Sequence, residues 1–402
     1  MNPTQKQQLP VTLLVLASAF SPLAMTACVP ALPAIGAEFN LPLSTVQFAI
    51  SIYLLGLALA QPIHGVLADR YGRRPILLWG FAVFTLASLA CALSGTMLWF
   101  AVFRLVQATG IATATVVTRA MFRDTFNIDD SARYTAYLAG GMGVATMLAP
   151  ALSGYLIETS GWRMSFYAMT GLAFVVLIRL LSMLPETRQQ GKTAENAFEK
   201  MRADFNNLIK SRLFWGYTLI YGFVNAAFFT FLTSAPLYFA DHLFTGPTLF
   251  GVYIGSMAFA YICGSLIGSM IIRLHGSERT LRLGLCGTFS SAGLILLTLW
   301  SFPVSVFTIV SPFLLLFAFT ALVNPPSMAG AIAHHPDKAG TAAGISNSMS
   351  MAIGALAAVI ASLVYNGNIL SLYLPVVISI ALSVLSYLLL VGCQINYLKK
   401  VA

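Results

Sequence analysis

Charged residues are scarce in this sequence. Only 9% of its 402 residues are Asp, Glu, Lys or Arg, whereas 58% are apolar. A soluble domain needs more polar surface than this, so we interpret the chain as an integral membrane protein. The net charge of +9 does not indicate nucleic-acid binding, because the basic residues neither cluster on one amphipathic face nor alternate with aromatic residues.

Cysteine and histidine are also sparse, with five of each. The cysteines are scattered through apolar runs, at Cys28, Cys91, Cys263, Cys286 and Cys393. An odd number at irregular spacing predicts neither a disulfide framework nor a metal site, and we expect no cofactor. A membrane-embedded enzyme is disfavoured, because the nearest approach to a reactive cluster is His334 and His335 beside Asp337. A channel is disfavoured because no apolar run carries a repeated polar stripe.

Long apolar runs, in contrast, are abundant. Twelve are long enough to cross the hydrocarbon core as helices. They cover residues 11–35, 46–68, 75–94, 97–119, 134–157, 162–184, 213–239, 248–272, 281–301, 304–325, 339–365 and 369–395. The first run follows Lys6 and contains the small residues Ala17-Ser18-Ala19, as a signal peptide would, but it continues to about Ile35. We therefore expect a retained helix.

Basic residues are distributed unevenly among the predicted loops. Of the 22 Lys and Arg residues, 19 lie at the two termini and in every second loop, and Arg163 alone lies in the other loops. This bias predicts that both termini are cytoplasmic. The connection 185–212 divides the chain into two halves, 1–184 and 213–402, each with six predicted spans. Its apolar residues recur at helical spacing among charges, which predicts an interfacial helix. Two such halves suggest a transporter that rocks around a central site.

One short loop concentrates charge in an otherwise apolar region. The stretch "HGVLADRYGRRP" contains Asp69, Arg70, Arg73 and Arg74. Gly65 and Gly72 are predicted to allow a close helix approach and a tight turn. Asp69 can pair with an arginine and accept from the first amides of a neighbouring helix, which would close this face with contacts that break easily. The alternative is that the basic residues only anchor the loop at the membrane.

The stretch "GVLADRYGRRPIL" resembles the signature of the major facilitator superfamily between helices 2 and 3. "FRLVQATG", "GWRMSFY", "LPETR" and "TSAPLYF" resemble drug exporters of the Bcr/CflA family. The resemblance implies an all-α integral membrane fold with twelve transmembrane helices in two pseudo-symmetric six-helix bundles. It implies export of small lipophilic drugs or metabolites from a bacterium across its inner membrane, by proton antiport with alternating access. The cytoplasmic gate residues that it implies are Gly65, Asp69, Arg70, Gly72, Arg73 and Arg74.

Helices 4 and 5 carry two more patterns of that family. The resemblance links Arg104 to proton coupling, together with Gln107 and Gly110; alternatively, Arg104 only pins helix 4 to helix 1 through backbone carbonyls. Helix 5 reads "GGMGVATMLAPALSGYL". Its motif residues are Gly141, Pro150 and Gly154. The implied role of this motif is to prevent leakage between helices, and the alternative is close packing alone.

The substrate cavity is expected between the two halves. Tyr221, Asn225 and Phe228 share one predicted face of helix 7, which suits a flat apolar compound with one hydrogen-bond anchor. The other wall candidates are Met25, Thr26, Tyr53 and Met142. Methionines adapt to varied ligands, whereas Thr26 stands where similar exporters often carry an aspartate.

Acidic residues are missing from the middle of every predicted span, although the chain has thirteen. The candidates for the proton site are Asp69, Asp124, Glu38 and His64. A cavity without a carboxylate favours neutral or anionic substrates. The expected partners are a small-molecule substrate, protons and the lipid bilayer, and we expect a monomer. The open alternatives of the same fold are a pH-independent uniporter and a dedicated metabolite exporter, for instance of a siderophore.

Overall fold

Helices make up nearly all of the computed structural model, which describes residues 9–188, 204–301, 303–333, 335 and 338–392. Within those residues, twelve helices are long and apolar enough to cross a membrane. The predicted all-α fold with twelve spans is therefore confirmed. Each helix satisfies its own backbone hydrogen bonds, as hydrocarbon surroundings require.

Eight of the twelve spanning helices are longer than the apolar runs that predicted them. The first six are α1 (Val11–Phe39), α2 (Leu43–Tyr71), α3 (Arg73–Ala92), α4 (Met97–Thr125), α5 (Ile128–Ser160) and α6 (Trp162–Met183). The second six are α7 (Arg212–Leu243), α8 (Pro247–His275), α9 (Ser277–Ser301), α10 (Val306–Ala333), α11 (Ala339–Val364) and α12 (Ile369–Ser386), and a π-helical turn, Tyr387–Gly392, follows α12. Within α1, a 3₁₀ turn at Val29–Ala31 separates two α-helical stretches, at Pro30, which has no N–H to donate.

The packing of the first six helices recurs in the second six. α3 packs on α4 as α9 packs on α10, and α1 packs on α5 as α7 packs on α11. The two halves meet where α2 packs on α11 and, equivalently, where α8 packs on α5. The recurrence is that of two structurally similar bundles related by a two-fold operation.

Two glycines reverse the chain at equivalent places in the two halves. Gly72 joins α2 to α3 with a φ of 105°, and Gly276 joins α8 to α9 with a φ of 83°. A side chain with a Cβ is strained at such angles. Glycine therefore allows two long helices to follow each other with a single residue between them.

The predicted connection 185–212 falls partly outside the described residues. Residues 189–203 lie outside them, so the interfacial helix and the division of the chain at this connection remain predictions. Residues 204–209 are helical, with Leu208 buried. Asp204 accepts a hydrogen bond from Thr341 Oγ1 at 3.2 Å, so this segment contacts the start of α11. The following residues named above also lie outside the described range: Lys6, His334, Asp337 and Cys393.

Candidate functional site

A buried arginine joins two carboxylates at the turn between α2 and α3. Arg73 Nη1 lies 2.6 Å from Asp69 Oδ1, and its Nε lies 2.9 Å from Asp124 Oδ2 near the end of α4. The Arg73 side chain is 10% exposed, whereas that of Asp69 is 52% exposed. One guanidinium thus serves two carboxylates. The structure places two of the four candidate proton sites in one cluster with the predicted gate.

A carboxylate that the sequence analysis did not select caps α3. Glu186 Oε1 accepts from the backbone N–H of Arg73 at 2.9 Å, and Oε2 accepts from that of Arg74 at 3.1 Å. The first amides of a helix lack intrahelical partners and favour a negative charge. Arg188 Nη1 also donates to the backbone oxygen of Arg70 at 2.7 Å. The segment after α6 therefore holds both sides of the Gly72 turn.

The other signature residues at this turn have separate contacts. The carboxylate that accepts from helix-starting amides here is Glu186, while Asp69 is bound by Arg73. Arg74 Nη2 donates to a backbone oxygen of α6 at 2.9 Å. A Cβ on Gly65 would lie 3.7 Å from the nearest side chain of α4, an ordinary contact, so the approach of these helices does not depend on glycine there.

Arg104 of α4 is fully buried inside the first half. Its Nη1 donates to the backbone oxygen of Ala24 in α1 at 3.0 Å and to Gln107 Oε1 at 2.5 Å. Its guanidinium carbon lies 4.2 Å from the centre of the Tyr53 ring. Its Nε and Nη2 have no hydrogen-bond partner among the described residues. The hydrogen bond to Ala24 is the contact expected if Arg104 only attaches α4 to α1. The two nitrogens without a partner are donors that remain available to a ligand or side chain that binds during transport.

The rest of the helix 4 pattern fixes α4 against α3. Gln107 Nε2 donates to Ser88 Oγ at 2.8 Å. A Cβ on Gly110 would overlap the backbone of α3, so this glycine is required by a close helix crossing. The buried guanidinium therefore sits in a polar connection that runs from α1 through α4 to α3.

Three of the wall candidates in the first half are buried in the protein interior. Met25, Thr26 and Tyr53 have almost no exposed surface. Thr26 Oγ1 donates to a backbone oxygen of its own helix at 2.9 Å, and Tyr53 Oη donates to a backbone oxygen of α1 at 2.8 Å. Met142 of α5 is half-buried. In this conformation the three buried side chains pack within the first bundle.

Uncharged polar side chains form a hydrogen-bonded chain that crosses from the second half into the first, with one link made through the backbone oxygen of Tyr221. Its members are Gln61, Asn347, Tyr221, Asn225, Asn324 and Tyr261, from α2, α11, α7, α7, α10 and α8 respectively. Gln61 Oε1 accepts from Asn347 Nδ2 at 2.5 Å, and Asn347 Oδ1 accepts from Tyr221 Oη at 3.3 Å. We call this set the amide chain.

A reciprocal pair of asparagines stands at the centre of the amide chain. The Nδ2 of Asn225 and the Nδ2 of Asn324 each donate to the Oδ1 of the other residue at 3.3 Å. Asn225 Nδ2 also donates to the backbone oxygen of Tyr221 at 2.7 Å, and Asn324 Nδ2 donates to Tyr261 Oη at 3.1 Å. Phe228, one turn along α7, packs edge-to-face on Phe317. The sequence analysis selected only the α7 members, although polar residues inside the other apolar runs were an available signal.

Glycines bring α5 and α8 into close contact. A Cβ on Gly154 would overlap the backbone at the start of α8, and one on Gly251 would overlap the backbone oxygen of Pro150. A Cβ on Gly141 would instead overlap a side chain of α1. Gly251 and Gly255 were not predicted, although two glycines four residues apart are typical of close transmembrane crossings.

The remaining proton candidates lie away from the gate cluster. Glu38, at the far end of α1, lies 2.5 Å from Arg163 Nη1 and accepts from Trp162 Nε1 at 2.6 Å. His64 of α2 is half-buried, and its Nδ1 has no hydrogen-bond partner among the described residues. The four candidates therefore occupy three separate places. No group of three or more His, Cys, Asp or Glu residues that could hold a metal ion occurs in the described part of the chain.

Twelve spanning helices in two matching halves, with a charged turn at one face, define a multi-pass membrane protein of the transporter type. The model of the Major Facilitator Superfamily matches residues 14–359. The chain therefore belongs to this superfamily, and it is a transporter rather than an enzyme.

Comparisons with individual proteins agree with this assignment. The bicyclomycin resistance protein homolog of Haemophilus influenzae is 24% identical over 345 residues, 84% of this chain and 85% of that protein. Multidrug resistance protein MdtL of Escherichia coli (strain K12 / DH10B) is 32% identical over 206 residues, 51% of this chain and 52% of that protein. A solved D-xylose-proton symporter has the same fold, with a TM-score of 0.74 at 14% identity over 94% of this chain and 95% of that one. The resemblance to Bcr/CflA-type exporters is thereby confirmed.

Proposed function

We propose that the protein exports small lipophilic molecules by proton antiport, from the cytoplasm of a bacterium across its inner membrane. Two relatives named for resistance support efflux. The excess of Lys and Arg in alternate loops supports cytoplasmic termini. The turn that carries Asp69 and Arg73 then lies at the cytoplasmic face, where it serves as the gate.

The proposed class of substrate rests on the amide chain. It lies where the two halves meet, it joins α2 to four helices of the second half, and every member is uncharged. Tyr221, Asn225 and Phe228 are only half-buried although they lie well inside α7. Together they offer an aromatic wall with hydrogen-bond donors and acceptors side by side. This surface suits a neutral compound with an apolar body and one edge that both donates and accepts.

The fixed charges near the centre favour the same class of substrate. Arg104 carries two unpaired nitrogens, and every ionisable acidic residue in the described part of the chain lies at or near a helix end or in a connection. A lipophilic cation would therefore meet no counter-charge on the way. Neutral compounds are the favoured substrates, and anionic compounds come second.

Alternating access follows from the contacts between the halves. Glycine-lined crossings let α5 and α8 slide or rock as rigid bodies, and the Gln61–Asn347 hydrogen bond breaks when α2 and α11 separate. At the gate, Arg73 holds two carboxylates. When Arg73 is drawn away, Asp69 and Asp124 both lose their cation, and these two carboxylates are the proton sites that we propose at the gate.

The uniporter remains the second candidate because of a specific observation. Thr26 bonds to its own helix and offers no titratable group at the place where similar exporters often have an aspartate. If proton coupling in this fold requires a carboxylate at that place, the protein moves its substrate without a proton.

Reconstituted vesicles with an imposed pH gradient distinguish the two candidates. A panel of neutral, anionic and cationic compounds would be added to the wild type and to the Asp69→Asn and Arg104→Ala variants. We expect a neutral compound to dissipate the gradient with the wild type and not with Asp69→Asn. If compounds cross while the gradient stays constant, antiport is wrong and the uniporter stands. If only cations cross, the substrate assignment is wrong.

A further inference from the structure

A pocket of about 400 Å³ opens beside the turn between α8 and α9. It is lined by Ile271, His275, Arg279, Arg282 and Leu283. Its walls are mostly hydrocarbon, and three of the five lining side chains are basic. The pocket lies at the ends of two spanning helices, so it is level with a membrane surface and not with the centre of the bilayer.

Two of the three basic side chains in the pocket have no partner among the residues that the structure describes. Arg282 is held by Glu278 at 3.1 Å and by Tyr387 Oη at 2.7 Å. Arg279 and His275 are exposed and form no hydrogen bond or ion pair with the residues that the structure describes. Arg279 therefore offers a positive charge, and His275 an imidazole N–H donor, to an anion in the pocket.

The equivalent turn in the first half shows what this fold places beside such a turn. There, the carboxylate of Glu186 lies so close to Gly72 that a Cβ on the glycine would overlap it. Around Gly276, apart from its two chain neighbours, no described residue has an atom within 4 Å of where a Cβ would be. In the first half a carboxylate thus lies beside the turn, whereas in the described part of the second half no carboxylate lies at the corresponding distance from Gly276.

We propose that this pocket binds one anionic phospholipid, with the lipid phosphate at Arg279 and His275. The phosphate lies beside the Gly276 turn, much as the carboxylate of Glu186 lies beside the Gly72 turn. The glycerol and upper acyl chain lie along Ile271 and Leu283, which gives the hydrocarbon walls a matching ligand. Leu274 and Met270 on the outer face of α8 are 76% and 62% exposed, so the acyl chain continues along α8 into the bilayer. Basic pockets at membrane-facing helix ends favour anionic headgroups.

The test is a lipid titration of the purified full-length protein in detergent, read by native mass spectrometry. Phosphatidylglycerol is compared with phosphatidylcholine of identical acyl chains. We expect the wild type to bind the first lipid more tightly. Arg279→Gln should weaken that binding about fivefold, the effect of about one basic residue near an anionic surface, and leave phosphatidylcholine unaffected. Arg279→Lys should retain the preference. Arg133→Gln is the matched control, because it removes one exposed positive charge at the start of α5.

Three outcomes would overturn the proposal. The first is equal affinity of the wild type for the two lipids. The second is an affinity that Arg279→Gln leaves unchanged, or that Arg133→Gln lowers equally. The third concerns the source of the phosphate: if glycerol 3-phosphate displaces phosphatidylglycerol at equal concentration, the pocket binds a soluble anion and not a lipid. Because Arg279 is exposed, its substitution leaves the packed interior unchanged, and a folded variant is expected in every arm.

Discussion

Removal of the Glu186 carboxylate should loosen the first turn of α3 without unfolding the protein. Its two oxygens accept from the backbone amides of Arg73 and Arg74. The third residue of the helix, Pro75, has no amide to satisfy. The carboxylate therefore satisfies both unpaired donors of this turn, and Glu186→Ala would leave them to water alone.

The size of the effect follows from the geometry of the cap. A helix-capping side chain contributes about 0.5–2 kcal/mol, and a negative charge at a helix start contributes about 0.3–1 kcal/mol. Glu186 is exposed, so water competes for these bonds. We therefore expect a total of about 1–2 kcal/mol, which corresponds to about 5–30-fold faster opening of the two amides.

Hydrogen–deuterium exchange followed by mass spectrometry measures this opening directly. A peptide that includes Arg73 and Arg74 should exchange 5–30-fold faster in Glu186→Ala, by the estimate of about 1–2 kcal/mol. A peptide from the start of α9 should exchange at the wild-type rate, since no Glu186 contact reaches it. The control variant is Glu158→Ala, which removes a carboxylate that accepts from Thr248 at the start of α8.

Equal exchange in Glu186→Ala and wild type would refute the reasoning. The result would mean that the cap does not persist in solution, and that the Gly72 turn is held by its other contacts, among them the Arg73 ion pairs and the hydrogen bond from Arg188 to Arg70. Faster exchange throughout the first half would also contradict the prediction, because it would show a loss of the bundle and not of one cap.

Three further predictions concern the interior of the protein. Arg104→Met removes a buried charge with two unpaired nitrogens, and it also removes two hydrogen bonds. We therefore expect the free energy of unfolding to change by less than about 2 kcal/mol, whereas transport should fall at least tenfold. A large loss of thermal stability would show instead that Arg104 has a structural role. Asn225→Leu should raise the KM for a neutral substrate about fivefold to tenfold, the cost of about one hydrogen bond, and an unchanged KM would exclude Asn225 as the anchor. Gly251→Ala forces a Cβ against the backbone of α5 and should destabilise the protein by about 1–3 kcal/mol, measured by thermal unfolding in detergent. The control is Gly171→Ala, whose Cβ would meet no described atom within 4 Å and which should leave the stability unchanged. Equal melting temperatures of the two variants would contradict the close crossing of α5 and α8.

The membrane fold could be predicted because hydrocarbon imposes a simple length rule on apolar runs. The ends of the helices could be predicted less well, because the residues of a helix that lie in the polar interface are not apolar and hydropathy does not detect them. The helix α5 illustrates this point: its prediction covers 134–157, whereas the helix is Ile128–Ser160. Its first turn carries Asp129 and Asp130, with Asn127 as the cap, and these polar residues lowered the apolar signal while stabilising the helix start.

The site could be predicted only where its members are close in the sequence or share a known motif. Asp69 and Arg73 are four residues apart, and their pairing could be inferred from the loop itself. Asp124 and Glu186 lie 51 and 113 residues from Arg73, so composition and periodicity give no register between them. The amide chain has the same limitation, because Asn324 and Asn347 meet α7 only through the packing of separate helices.

The Gln61–Asn347 hydrogen bond has an electrical consequence for the transport cycle. Both side chains are uncharged, so breaking their bond moves no charge through the membrane field. A charge that crosses the field gains or loses about 2.3 kcal/mol per 100 mV, whereas the separation of two amides gains nothing. The parting of α2 from α11 at this point is therefore electrically silent, and any current that accompanies turnover reports the proton, the substrate or the charged turn.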